Sequence, residues 1–121
     1  MVADARRQLG TDGEDAVAAW YRRTGYALVD RNWRCREGEL DLVVSRGGAL
    51  VFCEVKTRRG DAFGAPVEAV TVTKQRRLRV LATRWLAEHP DVRARDLRFD
   101  VASVLAPRGA APVIEVIEGA F

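Results

Sequence analysis

The sequence predicts a small α/β domain in which a central mixed β-sheet is flanked by helices. Two segments carry apolar residues at three- and four-residue spacing, which is typical of amphipathic helices. Five shorter segments have the apolar, alternating character of strands. Their order along the chain, α-β-β-β-α-β-β, predicts a mixed sheet. A chain of 121 residues fits one domain, so we expect a single domain over residues 1–121.

The composition is that of an ordinary globular protein, with 48% hydrophobic and 31% charged residues. A net charge of +3 permits a polyanionic partner without requiring one. No apolar run is long enough to span a membrane, and the first residues lack the apolar core of a signal peptide. We therefore expect a cytoplasmic protein with no membrane partner. A single histidine and two widely spaced cysteines exclude a Cys/His zinc cluster.

The first helix is predicted over residues 13–24, where Val17 and Trp20 belong to an apolar stripe. Gly25 is a typical residue to end a helix. Glu14 lies near the start of this predicted helix, where a carboxylate interacts favourably with the helix dipole. The helix dipole is therefore a structural explanation for Glu14 that needs no function.

Strands are predicted over residues 26–32 and 38–46. The second is the clearest, because Leu40, Leu42 and Val44 occupy alternate positions and would face one side of the sheet.

A third strand is predicted over residues 49–57, directly after Gly47 and Gly48. Two glycines between strands favour a two-residue hairpin turn, because such turns require positive φ angles. A two-residue turn pairs Arg46 with Ala49, and this pairing fixes the register of the whole hairpin.

The second half of the chain is predicted to contain a loop, a helix and two strands. Residues 58–66 contain two glycines and a proline and are predicted to form a loop. A helix is predicted over residues 73–88, with Trp85 on its apolar stripe. The last strands are predicted over residues 97–105 and 112–118.

Four charged residues of the hairpin form the candidate site. The predicted register opposes Asp41 to Glu54 and Glu39 to Lys56, all on one face of the sheet. Directly opposed residues have Cβ atoms about 4.5–5.5 Å apart, so two carboxylates there repel. A bound Mg²⁺ or Mn²⁺ would offset this repulsion and could polarise a phosphodiester. A lysine, unlike an arginine, has a pKa that its environment can move, which suits a role at the nucleophile.

The same four residues also fit an inert, solvated face of the hairpin. A different turn length would change the register, and a slip of one residue would place Glu54 on the opposite face from Asp41. The residues alone leave the metal site and the solvated face both open.

The ordered motifs resemble the YraN-like uncharacterised proteins, which are similar to archaeal-type Holliday junction resolvases of the PD-(D/E)XK nuclease superfamily. The core of the resemblance is GELDLV at 38–43 followed by FCEVKTR at 52–58. Further matches extend over nearly the whole chain: GEDAVAAWY at 13–21, RNWR at 31–34, Phe63-Gly64, Lys74 and RFDV at 98–101.

The resemblance implies a restriction-endonuclease-like fold and a metal-dependent nuclease. Asp41 and Glu54 would be metal ligands and Lys56 the catalytic lysine. Glu14 matches the helical acidic residue that completes the site in resolvase-type members. Glu39 belongs to the YraN-like pattern, whereas the resolvases generally lack an acid there, so its role as a metal ligand or as a partner of Lys56 stays open.

Basic residues next to this core are candidates for nucleic-acid binding. Arg58 and Arg59 directly follow the Lys56 strand, and Lys74 and Arg77 align on the second helix. A solvated loop and a solvated helix flank explain the same residues without nucleic acid.

The sequence thus predicts metal-dependent hydrolysis of nucleic-acid phosphodiesters, with branched or structured DNA as the expected substrate. Resolvases act as dimers because a four-way junction needs two symmetric cuts, so a homodimer is expected for that activity. Two alternatives remain: a DNA-binding module without turnover, and a protein-interaction domain with an inert charged hairpin.

Overall fold

A computed structural model describes residues 2–59, 70–107 and 109–121 of the chain. The elements follow the predicted order α-β-β-β-α-β-β, and the architecture is consistent with the restriction-endonuclease-like fold. They are α1 (Val2–Arg23), β1 (Ala27–Cys35), β2 (Gly38–Arg46), β3 (Ala49–Arg59), α2 (Val72–Glu88), β4 (Asp96–Ala106) and β5 (Val113–Ile117).

The five strands form one mixed sheet in the order β1-β2-β3-β4-β5. Strands β3 and β4 are parallel, and α2 connects them, whereas the other three neighbouring pairs are antiparallel. This arrangement places β3 at the centre of the sheet, between the hairpin partner β2 and the parallel strand β4.

The two helices pack on opposite faces of the sheet, because alternate residues of β3 belong to different apolar clusters. Val51 and Cys53 pack with α1, whereas Leu50 and Phe52 pack with α2. The α1 cluster contains Val17, Ala18, Tyr21, Tyr26, Leu42, Val44, Val51, Cys53, Ala102 and Val104. The α2 cluster contains Leu40, Val43, Leu50, Phe52, Leu78, Leu81, Ala82 and Trp85.

Helix α1 begins at Val2, so the prediction of a helix over residues 13–24 was too short at its start. The predicted end is confirmed: Gly25 has a φ of 92° and its N–H donates to the Arg22 carbonyl. Gly13, which looked like a starting residue, instead lies inside the helix at a close approach to β3. A Cβ atom there would overlap Thr57 Oγ1 and lie 2.9 Å from Thr57 Cβ.

Strand β3 extends to Arg59, so the first two residues of the predicted loop 58–66 belong to the strand. Residues 60–66, with Phe63 and Gly64, lie outside the described residues. Across the part of the chain that is described, no helix is long and apolar enough to cross a membrane.

Asp100 on β4 is buried, with 1% of its surface exposed, and joins α1 to β4 and to the segment after β5. It accepts hydrogen bonds from Tyr21 Oη at 2.6 Å, from Arg98 Nε and Nη2 at 2.8 and 2.9 Å, and from the Gly119 N–H at 2.9 Å. Burial of a carboxylate is tolerated only with such partners. This cluster therefore fixes the C-terminal half of α1 on the sheet.

The contact between α1 and β3 predicts opposite effects for alanine at two glycines of α1. We expect Gly13→Ala to lower the free energy of unfolding by about 2 kcal/mol, because the new methyl group overlaps Thr57. Gly10→Ala meets no atom within 4 Å and should raise it by up to about 1 kcal/mol through helix propensity. Urea denaturation of the two variants measures the difference, and equal effects would contradict the close approach.

Candidate metal centre

The candidate site lies where β2 and β3 separate. The recorded pairing runs from Arg46–Ala49 to Leu42–Cys53, which is the predicted register. Beyond the last pair, Asp41 Oδ2 accepts a hydrogen bond from the Val55 N–H at 2.8 Å. A side-chain oxygen thus bridges the two strands where they part.

The strict alternation predicted for β2 is wrong at Asp41. Leu40 packs in the α2 cluster, whereas Leu42 packs in the α1 cluster, although the prediction placed both on one face. The predicted pairs Asp41–Glu54 and Glu39–Lys56 likewise lie outside the recorded pairing. The predicted alternation therefore does not determine which faces these four charged side chains occupy.

Three carboxylates converge at this point. Glu14 of α1 and Glu39 and Asp41 of β2 each offer one carboxylate oxygen, and the three atoms lie within 4.8 Å of one another. Glu14 is in the second half of α1, so the helix-dipole explanation for this residue is wrong. Its position against β2 makes it part of an acidic cluster, which we call the carboxylate cluster.

Two arginines of β1 pair with the outer members of this cluster. Arg31 lies 3.5 Å from Glu14 and also binds the neighbouring Asp15. Arg34 Nε lies 3.2 Å from Glu39 Oε2. Both arginines belong to the RNWR motif, and their spacing along one strand gives no signal of their carboxylate partners.

The crowding changes the ionisation of the cluster. Burial raises the pKa of Asp41 to about 7; the Val55 hydrogen bond opposes this shift, and the charges of Glu14, Glu39 and Glu54 add to it. Burial also raises the pKa of Glu14, against the lowering effects of Asn32 and Arg31. The site therefore favours a bound positive charge, either a proton or a cation.

The carboxylate cluster fits a hard divalent cation. Mg²⁺ binds oxygen ligands at about 2.1 Å in octahedral geometry, which sets neighbouring ligand oxygens about 3 Å apart and opposite ones about 4 Å apart. The three carboxylate oxygens lie within 4.8 Å of one another, which is close to this range. Carboxylates without histidine or cysteine ligands favour Mg²⁺ or Mn²⁺ over softer metals.

Glu54 lies close to the cluster but is not one of its three members. Its Oε1 is 2.9 Å from Lys74 Nζ of α2, and its buried Oε2 has no hydrogen-bond partner among the described residues. Thr71 caps α2 by accepting from the Lys74 N–H at 3.2 Å, which places Lys74 in the first helical turn. Lys74, predicted to bind nucleic acid, thus points into the site.

A cavity of about 230 Å³ adjoins the cluster between the sheet and α2. Glu39 and Glu54 line it from the strands, and Lys74 and Arg77 line it from the helix. Acidic and basic walls facing each other suit a ligand that carries both signs, such as a phosphate with its cation.

The remaining predicted residues lie along β3. Lys56 is half-buried, two residues beyond Glu54, and pairs through its backbone with Ser103 of β4. Arg58 is half-buried and Arg59 is exposed. Arg59 lines a second cavity of about 120 Å³ on the α1 side, so the predicted basic residues do not form one contiguous group.

The raised pKa of Asp41 predicts a loss of stability with rising pH. A carboxyl group with a pKa near 7 in the folded state and near 4 in the unfolded state binds its proton more tightly when folded. The free energy of unfolding should fall by about 2–3 kcal/mol between pH 5 and pH 8. Denaturant unfolding in a chelator at both values measures this fall.

The matched variant Asp41→Asn keeps an acceptor for Val55 but cannot ionise. The free energy of unfolding of this variant should fall less between pH 5 and pH 8. The fall that remains is due to Glu14 and other groups. An equal fall in the wild type and in Asp41→Asn would contradict the assignment.

Comparisons with known proteins agree on one family. The model of "Uncharacterised protein family UPF0102" matches residues 13–104. A UPF0102 protein of Clavibacter michiganensis is 52% identical over 114 residues, which cover 94% of this chain and 96% of the relative. A UPF0102 protein of Frankia casuarinae is 52% identical over 117 residues, which cover 97% of this chain and 98% of the relative. A UPF0102 protein of Frankia alni is 50% identical over the full length of both chains. The chain therefore belongs to the uncharacterised protein family UPF0102.

Proposed function

We propose that this protein hydrolyses nucleic-acid phosphodiesters with Mg²⁺ or Mn²⁺, and that its substrate is branched or structured DNA. The observation that carries the proposal is the convergence of Glu14, Glu39 and Asp41 beside a cavity with lysine and arginine in its wall. The resemblance of the hairpin motifs to the PD-(D/E)XK core supports the same chemistry. The family is uncharacterised, so its name adds no activity.

Each residue has a distinct role in this proposal. Asp41, held by the Val55 N–H, would be the central metal ligand, and Glu14, Glu39 and Glu54 would complete the set of ligands. A divalent cation would stabilise charge on the phosphate and lower the pKa of an attacking water.

Lys56 would orient the attacking water and, in its neutral form, would accept its proton. The position of Lys56 suits this role, because its side chain extends from β3 only two residues beyond Glu54.

The basic residues supply contacts to the DNA backbone. Arg77 shares the cavity wall with Lys74, and Arg58 and Arg59 end β3. Phosphate contacts of this kind position a duplex without reading its sequence. Because a four-way junction needs two symmetric cuts, the proposal includes a homodimer.

A cleavage assay tests the proposal. Wild-type protein should cut a four-way junction faster than a linear duplex in Mg²⁺ or Mn²⁺. Asp41→Asn should reduce the rate at least about 100-fold through loss of the cation, and Lys56→Met at least about tenfold through loss of proton transfer. Glu115→Gln removes an exposed carboxylate of β5 and should leave the rate unchanged.

Cleavage that survives Asp41→Asn would overturn the proposal. DNA binding without cleavage and without cation dependence would identify a DNA-binding module instead. Absence of both cleavage and DNA binding would favour a protein-interaction domain.

A further inference from the structure

Glu54 forms an ion pair with Lys74 and is not one of the three carboxylates of the cluster. Lys74 Nζ lies 2.9 Å from Glu54 Oε1, with 28% of the lysine side chain and 15% of the glutamate side chain exposed. The pair is therefore largely shielded from solvent. A charge–charge contact in such a shielded position is stronger than one at the surface. Glu54 nevertheless acts on Asp41, since its charge helps to raise the Asp41 pKa.

A divalent cation at the carboxylate cluster would compete with Lys74 for Glu54. Glu54 Oε2 is buried without a hydrogen-bond partner among the described residues, so the lysine contacts only one of the two oxygens of this carboxylate. A cation held by Asp41 would attract Glu54 and weaken its hold on Lys74. The long lysine side chain can then reorient without moving α2.

The cavity offers Lys74 an alternative partner. Lys74 and Arg77 line the same space of about 230 Å³. A substrate phosphate there would meet both cations next to the carboxylate cluster. The lysine can therefore exchange one anion, Glu54, for another, the phosphate.

We propose that Lys74 is a charge switch that couples cation binding to phosphate binding. It neutralises Glu54 until a divalent cation takes that carboxylate, and it then binds the phosphate of the nucleic acid. This inference rests on the proposed function, because it requires a cation at the carboxylate cluster. Lys74 therefore leaves Glu54 only when the metal site is complete, and it then contacts the substrate directly.

Calorimetric titration with Mn²⁺ tests the first half of the switch. Lys74→Gln removes the competitor and should tighten Mn²⁺ binding about fivefold. Arg76→Gln removes an equal charge from an exposed position of the same helix and should change the affinity less than about twofold. Adding Lys74→Gln to Glu54→Gln should change nothing further, because the lysine acts through Glu54.

Three outcomes of the titration overturn the switch. Unchanged or weaker Mn²⁺ binding by Lys74→Gln shows that the lysine does not compete. Tightening that persists in the Glu54→Gln background shows repulsion through space instead. Absence of Mn²⁺ binding by every variant would overturn both the switch and the proposed metal site. If Asp41→Asn abolishes Mn²⁺ binding but Lys74→Gln leaves it unchanged, only the switch is overturned.

DNA binding tests the second half. The affinity for a four-way junction is measured for wild type and Lys74→Gln, in Ca²⁺ and in a chelator. The variant should bind about five- to tenfold more weakly in Ca²⁺ and equally well in the chelator, because only the cation releases the lysine. An equal loss in both conditions would identify Lys74 as an ordinary phosphate contact and overturn the coupling.

Discussion

The hydrogen bond from the Val55 N–H to Asp41 Oδ2 is the interaction on which the site depends. It spans the two strands just after their last recorded pair, where the alternation of β2 is broken. Since the bond favours the ionised carboxylate, it partly opposes the effect of burial on Asp41. Asp41 is thus held as a half-buried acid at the place where α1 meets the sheet.

Repulsion between the acids has to be resisted by the scaffold, and α1 is fixed on both sides of Glu14. On one side Gly13 packs against Thr57, and on the other Tyr21 donates to the buried Asp100. Arg31 adds a charge of opposite sign next to Glu14. These contacts keep Glu14 near Asp41, and a site held this firmly suits a cation that requires defined geometry.

The sequence predicted the fold well because local patterns determine it. Gly47-Gly48 fixed the hairpin register, and Gly25 marked the end of α1, as the structure confirms. The start of α1 was predicted too late because Gly13 looked like a starting residue. Gly13 instead lies inside the helix and packs against Thr57, a contact that only the tertiary structure reveals.

Prediction of the site was less complete, for a related reason. Alternation rules place side chains only while a strand is regular, and β2 is irregular at Asp41. The pairing of Lys74 with Glu54 joins residues on different elements, and no periodicity encodes it. The resemblance named Asp41, Glu54, Glu14 and Glu39 as candidate metal residues, but the residues alone did not show which of them come together. In the fold, Glu14 and Glu39 converge with Asp41.

A crystal structure of the protein soaked in Mn²⁺, with the anomalous signal of the metal, tests the central claim most directly. The account predicts one strong peak bonded to Asp41 and to Glu14 or Glu39, with Glu54 turned from Lys74 towards the metal. Absence of a peak at saturating Mn²⁺, or a peak elsewhere that leaves Asp41 without metal, would contradict it.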